Sequence, residues 1–381
     1  MQLLVLTELF LPTKGGTAVW AAEVYRRLGA KEIHIVTADV PGAVAVDAIH
    51  PNSIHRLELR RRRWLRPESL AIYARLTVES LWLALTHRFE AIHAFRALPE
   101  GLVALPLARL IFRPVVIYAH GEELTTWGHG AKYRAMRFAL RRCDRVIANS
   151  EFTRDELVKM GVLAERISLI YPGVDIDRFR PGLQCSDLRT SLGLTPNHKL
   201  LLSVGRLQRR KGFDQVIHAL PALLKSGLDV HYAIIGIGAD RDYLAALAAE
   251  LGMSQRVHLL GHVSEEDLPR WLNACDVFAM PNREINGDTE GFGMVFIEAA
   301  ACGKPSVAGI AGGTAAAVVD GETGRRVAGE RLEDVEGALL QLLTDNPYAA
   351  EIGARALARA RREFGWQSVA AKTRALFPTG R

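Results

Sequence analysis

The sequence predicts an α/β protein made of two Rossmann-like domains. Three observations carry that expectation. The chain has 381 residues, more than one ordinary hydrophobic core organises. Both halves alternate short β-rich apolar runs with amphipathic stretches, the pattern of parallel sheets covered by helices on both faces. Between the halves lies "DRFRPGLQCSDLRTSLGLTPNHK", polar and rich in turn residues, where a domain join is expected. The expected division is 1–182 and 183–364.

In the first half, "LLVLTEL", "EIHIVTA", "AIHAF", "PVVIYAH" and "RVIANS" read as strands. "AVWAAEVYRRLG" and "YRAMRFALRRC" read as helices beside them. In the second half, "KLLLSVG", "VHYAIIG", "RVHLLGH", "DVFAMP" and "PSVAG" read as strands. "FDQVIHALPALLKSG" reads as a helix with Val216, Ile217, Leu220, Leu223 and Leu224 on one side.

Composition narrows the class. Hydrophobic residues at 49% and charged residues at 24% describe a folded, water-soluble protein. The most apolar stretch, Gly101–His120, is broken by Pro106, Arg109, Arg113 and Pro114, so it reads as helix then strand, not a membrane span. The start, "MQLLVLTELFLP", has no basic leader and reads as a first buried strand. Cys143, Cys185, Cys275 and Cys302 show no metal-ligand spacing and are expected as unpaired thiols in a reducing, cytoplasmic compartment. The net charge of +6 is uneven. Residues 1–182 hold 26 Lys+Arg against 19 Asp+Glu, and the remainder 22 against 23. The first half therefore expects an acidic partner. No nucleic-acid motif accompanies that charge.

Ligands of open α/β sheets gather at the carboxyl ends of strands. In "LPTKGGTAVW", Gly15 and Gly16 permit close backbone approach, and Thr17 is placed to cap the next helix. A plain tight turn is the alternative. After "KLLLSVG", Arg206 and Lys211 suit a diphosphate; solvated loop cations are the alternative. "AIIGIGADRDYL" offers Gly236 and Gly238, but Arg241 stands where a dinucleotide fingerprint needs a third glycine. His120-Gly121 ends a strand, well placed for a ligand or for simple packing.

"EGFGMVFIEAAACGKP" sets Glu290 and Glu298 eight residues apart. On one helix they would diverge by about 80°, and the glycines disfavour one helix. Glu290 is expected in a loop, with a helix starting near Gly293–Met294 and Glu298 in its second turn. The amides of Gly291, Phe292, Gly293, Met294 and Val295 would then meet an anion while the carboxylates take neutral hydroxyls. That combination suits a sugar on a nucleoside diphosphate. A buried ion pair of Glu298 with an arginine is the alternative. Asp175–Asp177 and Asp240–Asp242 read as turn and helix-start aspartates rather than metal clamps.

In sequence order, "GG", "AHGEE", "VIANSEFTRDEL", "YPGVDIDRFRP", "SVGRLQRRKG", "LLGHVSEEDL", "CDVFAMPN" and "EGFGMVFIEAAACGKPSVAG" resemble the retaining GT-B glycosyltransferases of family 4. The stretch from "AMPNREINGD" to "AGIAGGT" is similar to bacterial mannosyltransferases that act on phosphatidylinositol mannosides. The resemblance implies a GT-B fold, two Rossmann-like domains facing each other across a cleft, with 365–381 crossing back to the first. It places Gly16 near the donor phosphate and acceptor, and Arg206 and Lys211 on the diphosphate. Glu298 would accept the ribose hydroxyls, Glu290 and the amides from Gly291 to Val295 would hold sugar and phosphates, His120 would lie beside the sugar, and Val263 near the base. Departures are Thr13-Lys14 before the glycines and "GIGADR" after the second-half strand.

The expected reaction moves a hexose from GDP-mannose or a UDP-sugar to a lipid-linked or glycan hydroxyl, without metal or cofactor. Same-face attack, with the leaving phosphate taking the acceptor proton, is expected over a double displacement through Glu290. Arg60–Arg63 and Trp64, ahead of an amphipathic run, suit an anionic membrane on the inner face of the plasma membrane; a solvated basic loop is the alternative. A nicotinamide oxidoreductase and a sugar-nucleotide epimerase are the rival enzyme classes.

Overall fold

The computed structural model describes residues 1–60, 68–127 and 130–376. It divides into two compact units, Met1–Pro172 with the segment from Trp366 onward, and Gly173–Gly365. The first boundary thus falls at 172/173 rather than 182/183. Val174 donates its N–H to the Phe364 carbonyl at 2.7 Å, and Asn273 donates to the Arg180 carbonyl at 2.9 Å. These bonds tie 173–182 to the second unit.

The first unit holds β1 (Leu3–Leu6), β2 (Ile33–Ala38), β3 (Ser53–Leu57), β4 (Ala91–Ala94), β5 (Val115–Ala119), β6 (Arg145–Ala148) and β7 (Ile167–Leu169). They form one parallel sheet in the order β3-β2-β1-β4-β5-β6-β7. β1, β4 and β5 are buried along their whole length, as strands covered on both faces must be. The helix Gly16–Leu28 buries Trp20, Val24 and Tyr25 and packs against the returning helix Trp366–Ala375. Arg374 donates to the carbonyls of Arg27 and Leu28, each at 3.0 Å, setting a cation on the negative end of the Gly16–Leu28 helix.

The second unit holds β8 (Lys199–Val204), β9 (Val230–Ile235), β10 (Val257–Gly261), β11 (Val277–Met280), β12 (Ser306–Gly309) and β13 (Arg325–Val327). Its parallel sheet runs β10-β9-β8-β11-β12-β13. The order reverses between β8 and β11, and the crevice at such a switch point is where these sheets bind ligands. The helix Phe213–Lys225 starts directly behind it, buried through Phe213, Val216, Ile217 and Leu220.

Gly212 makes that start possible. Its φ is +75°, and a Cβ there would lie 2.1 Å from the Pro281 carbonyl oxygen. Gly212→Ala is expected to cost roughly 2–4 kcal/mol through strain and overpacking, read as a lower Tm. An unchanged Tm would mean that the strand end at Pro281 yields freely.

Candidate functional site

The switch point of the second unit is built from two loops. After β8 the chain exposes Arg206, then makes a tight turn, Arg209–Lys211, that buries Arg210 and Lys211. After β11, Arg283 grips Asp214 through two hydrogen bonds of 3.0 and 2.6 Å. The chain then reverses at Asn286 and Gly287, with φ of 53° and 81°, the paired left-handed residues of a two-residue hairpin. This hairpin aims two carboxylates back at the first loop. Asp288 Oδ1 lies 3.0 Å from Arg210 Nε. Glu290 Oε2 accepts from Arg210 Nη1 at 3.0 Å and from Lys211 Nζ.

Burial pushes the Glu290 carboxyl upward, but the Lys211 and Arg210 charges and hydrogen bonds overcome that and hold it below the ordinary range. Glu290 is therefore an anion at neutral pH. Both cations sit on Oε2. Oε1 has no hydrogen-bond partner among the described residues and can accept from a ligand hydroxyl.

The helix Met294–Ala301 starts where the glycines place it, with Gly293 capping at φ 85°. Its first-turn amides have no intrahelical acceptor. Glu298 lies in its second turn. Among the described residues its carboxyl makes no hydrogen bond or ion pair. Burial pushes it up to about 7, with the Arg178 charge pulling it back. The ion pair expected as an alternative for Glu298 thus exists at Glu290.

Arg206 is exposed in the same loop, and Val263 is half-buried just past β10. Arg210, Asp288 and the Asp214–Arg283 pair were not legible in the sequence. The only signal was the run "RRK", which reads equally as a solvated face.

Gly236 and Gly238 have a packing role. A Cβ would fall 1.8 Å from the Gly205 carbonyl oxygen at one and 2.4 Å from the Leu207 carbonyl oxygen at the other. Leu207 donates its N–H to the Ile237 carbonyl at 3.0 Å. Close approach of two loops accounts for both glycines without a dinucleotide.

In the first unit, Gly15 caps the helix Gly16–Leu28 at φ 137°, and both glycines are exposed. Thr17 is inside the helix and caps nothing, correcting the expectation; the cap residue is Gly15 and no side chain closes the end. His120 follows β5 directly. Its Nε2 lies 2.7 Å from the Phe95 carbonyl oxygen, which can only accept, so Nε2 carries a proton and Nδ1 is left as an acceptor in the neutral ring. Burial lowers its pKa, partly opposed by Glu123, and its ring packs edge-on against Trp20.

The aspartate triplets behave as turn residues. Asp175 Oδ1 accepts from the amides of Asp177 and Arg178 at 3.1 Å each, and Asp240 stands at the start of the helix Arg241–Glu250 without a side-chain capping bond, its Oδ2 3.6 Å from Arg209 Nε. At the amino ends of β8 and β9, ligand-type atoms of His198, Asp229 and His231 lie within 4.8 Å of one another. Thr195 donates its N–H to His198 Nδ1 at 2.8 Å. The ring proton therefore sits on Nε2, facing Asp229 at 3.1 Å, and a metal would have to displace it. All four cysteines are free thiols.

Residues 14–178 match the family described as Glycosyltransferase Family 4, and residues 186–359 match Glycosyl transferases group 1. A "GDP-mannose-dependent alpha-(1-6)-phosphatidylinositol monomannoside mannosyltransferase" of Mycolicibacterium smegmatis is 32% identical over 362 residues, 92% of this chain and 91% of the relative. The chain belongs to the family 4, group 1 glycosyltransferases. This glycosyltransferase is also 35% identical over 311 residues to a "D-inositol 3-phosphate glycosyltransferase" of Streptomyces bingchenggensis, covering 77% of this chain and 62% of the relative. The solved structure of Anabaena Alr3699/HepE with UDP and glucose superposes on the glycosyltransferase at a TM-score of 0.83, with 22% identity and 100% of both chains covered. Sucrose-phosphate synthase of Thermosynechococcus elongatus gives 0.80 at 21% identity, covering 99% of this chain and 98% of that one. These likenesses identify the fold as GT-B. The oxidoreductase and epimerase readings gain no support from them.

The raised pKa of Glu298 has a signed consequence. Between its ordinary 4.5 and about 7, the folded glycosyltransferase holds a proton that the unfolded chain has released. Stability from this group therefore falls as pH rises through that window and is level above it. Glu298→Gln is expected to raise Tm at pH 8 by roughly 2–6 °C and to leave it nearly unchanged at pH 4.5. An equal shift at both pH values would remove titration as the cause.

Proposed function

We propose that this glycosyltransferase moves mannose from GDP-mannose, with retention at the anomeric carbon, to a hydroxyl of a lipid-linked or glycan acceptor. No metal or other cofactor takes part. The observation that carries the reading is the cluster Arg210–Lys211–Glu290 at the β8/β11 switch point, followed directly by a helix N-terminus and the unpaired Glu298. The relative of Mycolicibacterium smegmatis, matched along 91% of its length, is named as GDP-mannose-dependent.

The anomeric C–O bond breaks as charge grows on the departing diphosphate. Arg206, Lys211 and the amides of Met294 and Val295 stabilise that charge. Glu298 accepts the ribose hydroxyls. Glu290, held as an anion by Arg210, offers Oε1 to the sugar hydroxyls, with the amides from Gly291 to Gly293 beside it. Val263 borders the base. In the first unit, His120 offers Nδ1 to a sugar hydroxyl, and the exposed Gly15 and Gly16 bring backbone to an anionic group. The acceptor oxygen attacks from the face the diphosphate leaves, and the diphosphate takes its proton. This route leaves Glu290 to binding.

The acceptor side of the reading includes an anionic membrane surface. The helix Leu70–Thr86 turns Leu70, Ala74, Val78, Trp82 and Leu85 outward, with Val78 and Leu85 68% and 74% exposed. An apolar face beside basic residues suits an interfacial helix. Arg60 is exposed beside Glu58 at 3.4 Å; Arg61–Arg63 and Trp64 lie outside the described residues. Among the described residues no helix is long and apolar enough to cross a membrane.

GDP-mannose at a hundred times its Kd is expected to stabilise the protein by about 2.7 kcal/mol, and UDP-glucose to give no shift at the same concentration. The opposite ranking would overturn the choice of donor. Lys211→Ala is expected to lower turnover by roughly a hundredfold or more while changing donor affinity by less than about tenfold. Equal losses in both would take Lys211 out of transition-state stabilisation. Sedimentation with anionic liposomes should be salt-sensitive and weaken when Trp82 and Leu85 become serine; salt-independent or unaltered binding would end the membrane reading.

A further inference from the structure

The first unit carries a second constellation, at the opposite end of its sheet from His120. Between the helix Leu102–Leu110 and β5 the chain turns at Phe112, whose φ is 53°. A bulky side chain is strained in that conformation. Phe112 is nevertheless 91% exposed, so no core packing offsets the strain. Strain at an exposed aromatic points to a binding role.

The ring borders a concavity of about 370 Å³ at the amino ends of β5 and β6, a size within the range of small-molecule sites. Its floor is apolar, from Leu105, Ala108 and Val115. Arg109, Arg113 and Arg142 line it. Among the described residues none of these three guanidinium groups has a hydrogen-bond or ion-pair partner; Arg142 lies over the Phe138 ring at 5.6 Å. One carboxylate lines the concavity, Asp144, and its Oδ2 accepts the Val115 N–H at 2.8 Å. Three like charges gathered on one concavity repel each other, and an anion between them relieves that.

Guanidinium forks match the oxygens of a phosphate. The apolar floor and the exposed phenyl are useless to a bare phosphate and suit an attached acyl or other apolar group. We propose that this concavity binds a phosphate ester bearing an apolar group. The ester is either the headgroup of an anionic phospholipid or a free molecule. The site belongs wholly to the first unit and does not depend on the donor reading.

The test uses the full chain and dioctanoyl phosphatidic acid below its micelle concentration. A saturable rise in Tm is expected, with none from inorganic phosphate at equal concentration. Arg113→Gln/Arg142→Gln should weaken binding by about tenfold or more, while donor binding stays as in the wild type. Phe112→Gly should raise the Tm of the protein alone, because strain is removed, yet weaken binding of the ester. Pelleting with phosphatidylglycerol vesicles that depends on the two arginines would place the ester in a bilayer. Binding of the short-chain ester without vesicle binding would place it in solution. Three results would overturn the proposal: no saturable shift, a shift unaltered by the double substitution, or an equal response to inorganic phosphate.

Discussion

Everything at the β8/β11 switch point follows from one carboxylate held out of water. A buried anion without partners costs several kcal/mol, so Glu290 needs the two cations it has. Arg210 is in turn balanced by Asp288. Two acids and two bases make a set without net charge. For the set to close, the loop after β8 must lie against the loop after β9 and the end of β11. That closeness demands glycine at 212, 236 and 238. The sheet order supplies the crevice, and the ion pairs fix what points into it.

The double grip on Glu290 has a chemical use in the proposed reaction. If Lys211 turns its ammonium to a diphosphate, Arg210 still satisfies Glu290 Oε2. The carboxylate keeps its place and its charge while the lysine changes partners. A single cation would serve either the acid or the phosphate. Glu298 meets the opposite condition: burial outweighs the charge of Arg178, no cation bonds to its carboxyl among the described residues, and its proton is held to about pH 7. Two carboxyls from one short motif are thus an anion and a proton holder, and their surroundings alone make the difference.

The strands that were legible are those with an apolar run, buried in all but β10, an outer strand that is half-buried throughout. β1, β2, β4, β5 and β6 in the first unit, and β8 to β12 in the second, each carry four or more apolar or small residues in a short stretch. β3, β7 and β13 escaped. All three are outer strands of their sheets, partly solvated, and their sequences "SIHRL", "ISL" and "RRV" carry no such run. At the site, the start of the Met294 helix was legible because glycine marks it. Lys211 and Glu290 were each legible as polar residues at strand ends. Their pairing was not, since it joins residues 79 apart. Arg210 was hidden for the same reason, in a basic run that local sequence cannot tell from solvated surface. The half fingerprint at Gly236 and Gly238 was ambiguous because one residue type serves both a cofactor and a crowded backbone.

The return of Trp366–Ala375 to the first unit sets an order of assembly on the ribosome. Synthesis runs from the amino end, and domains commonly fold as they emerge. Gly173–Gly365 can close its core as soon as it is out. The earlier-made unit must wait, with the outer flank of Gly16–Leu28 uncovered, until Trp366, Val369 and Ala370 arrive to shield it. The half that is translated first is therefore the half whose cover is completed last.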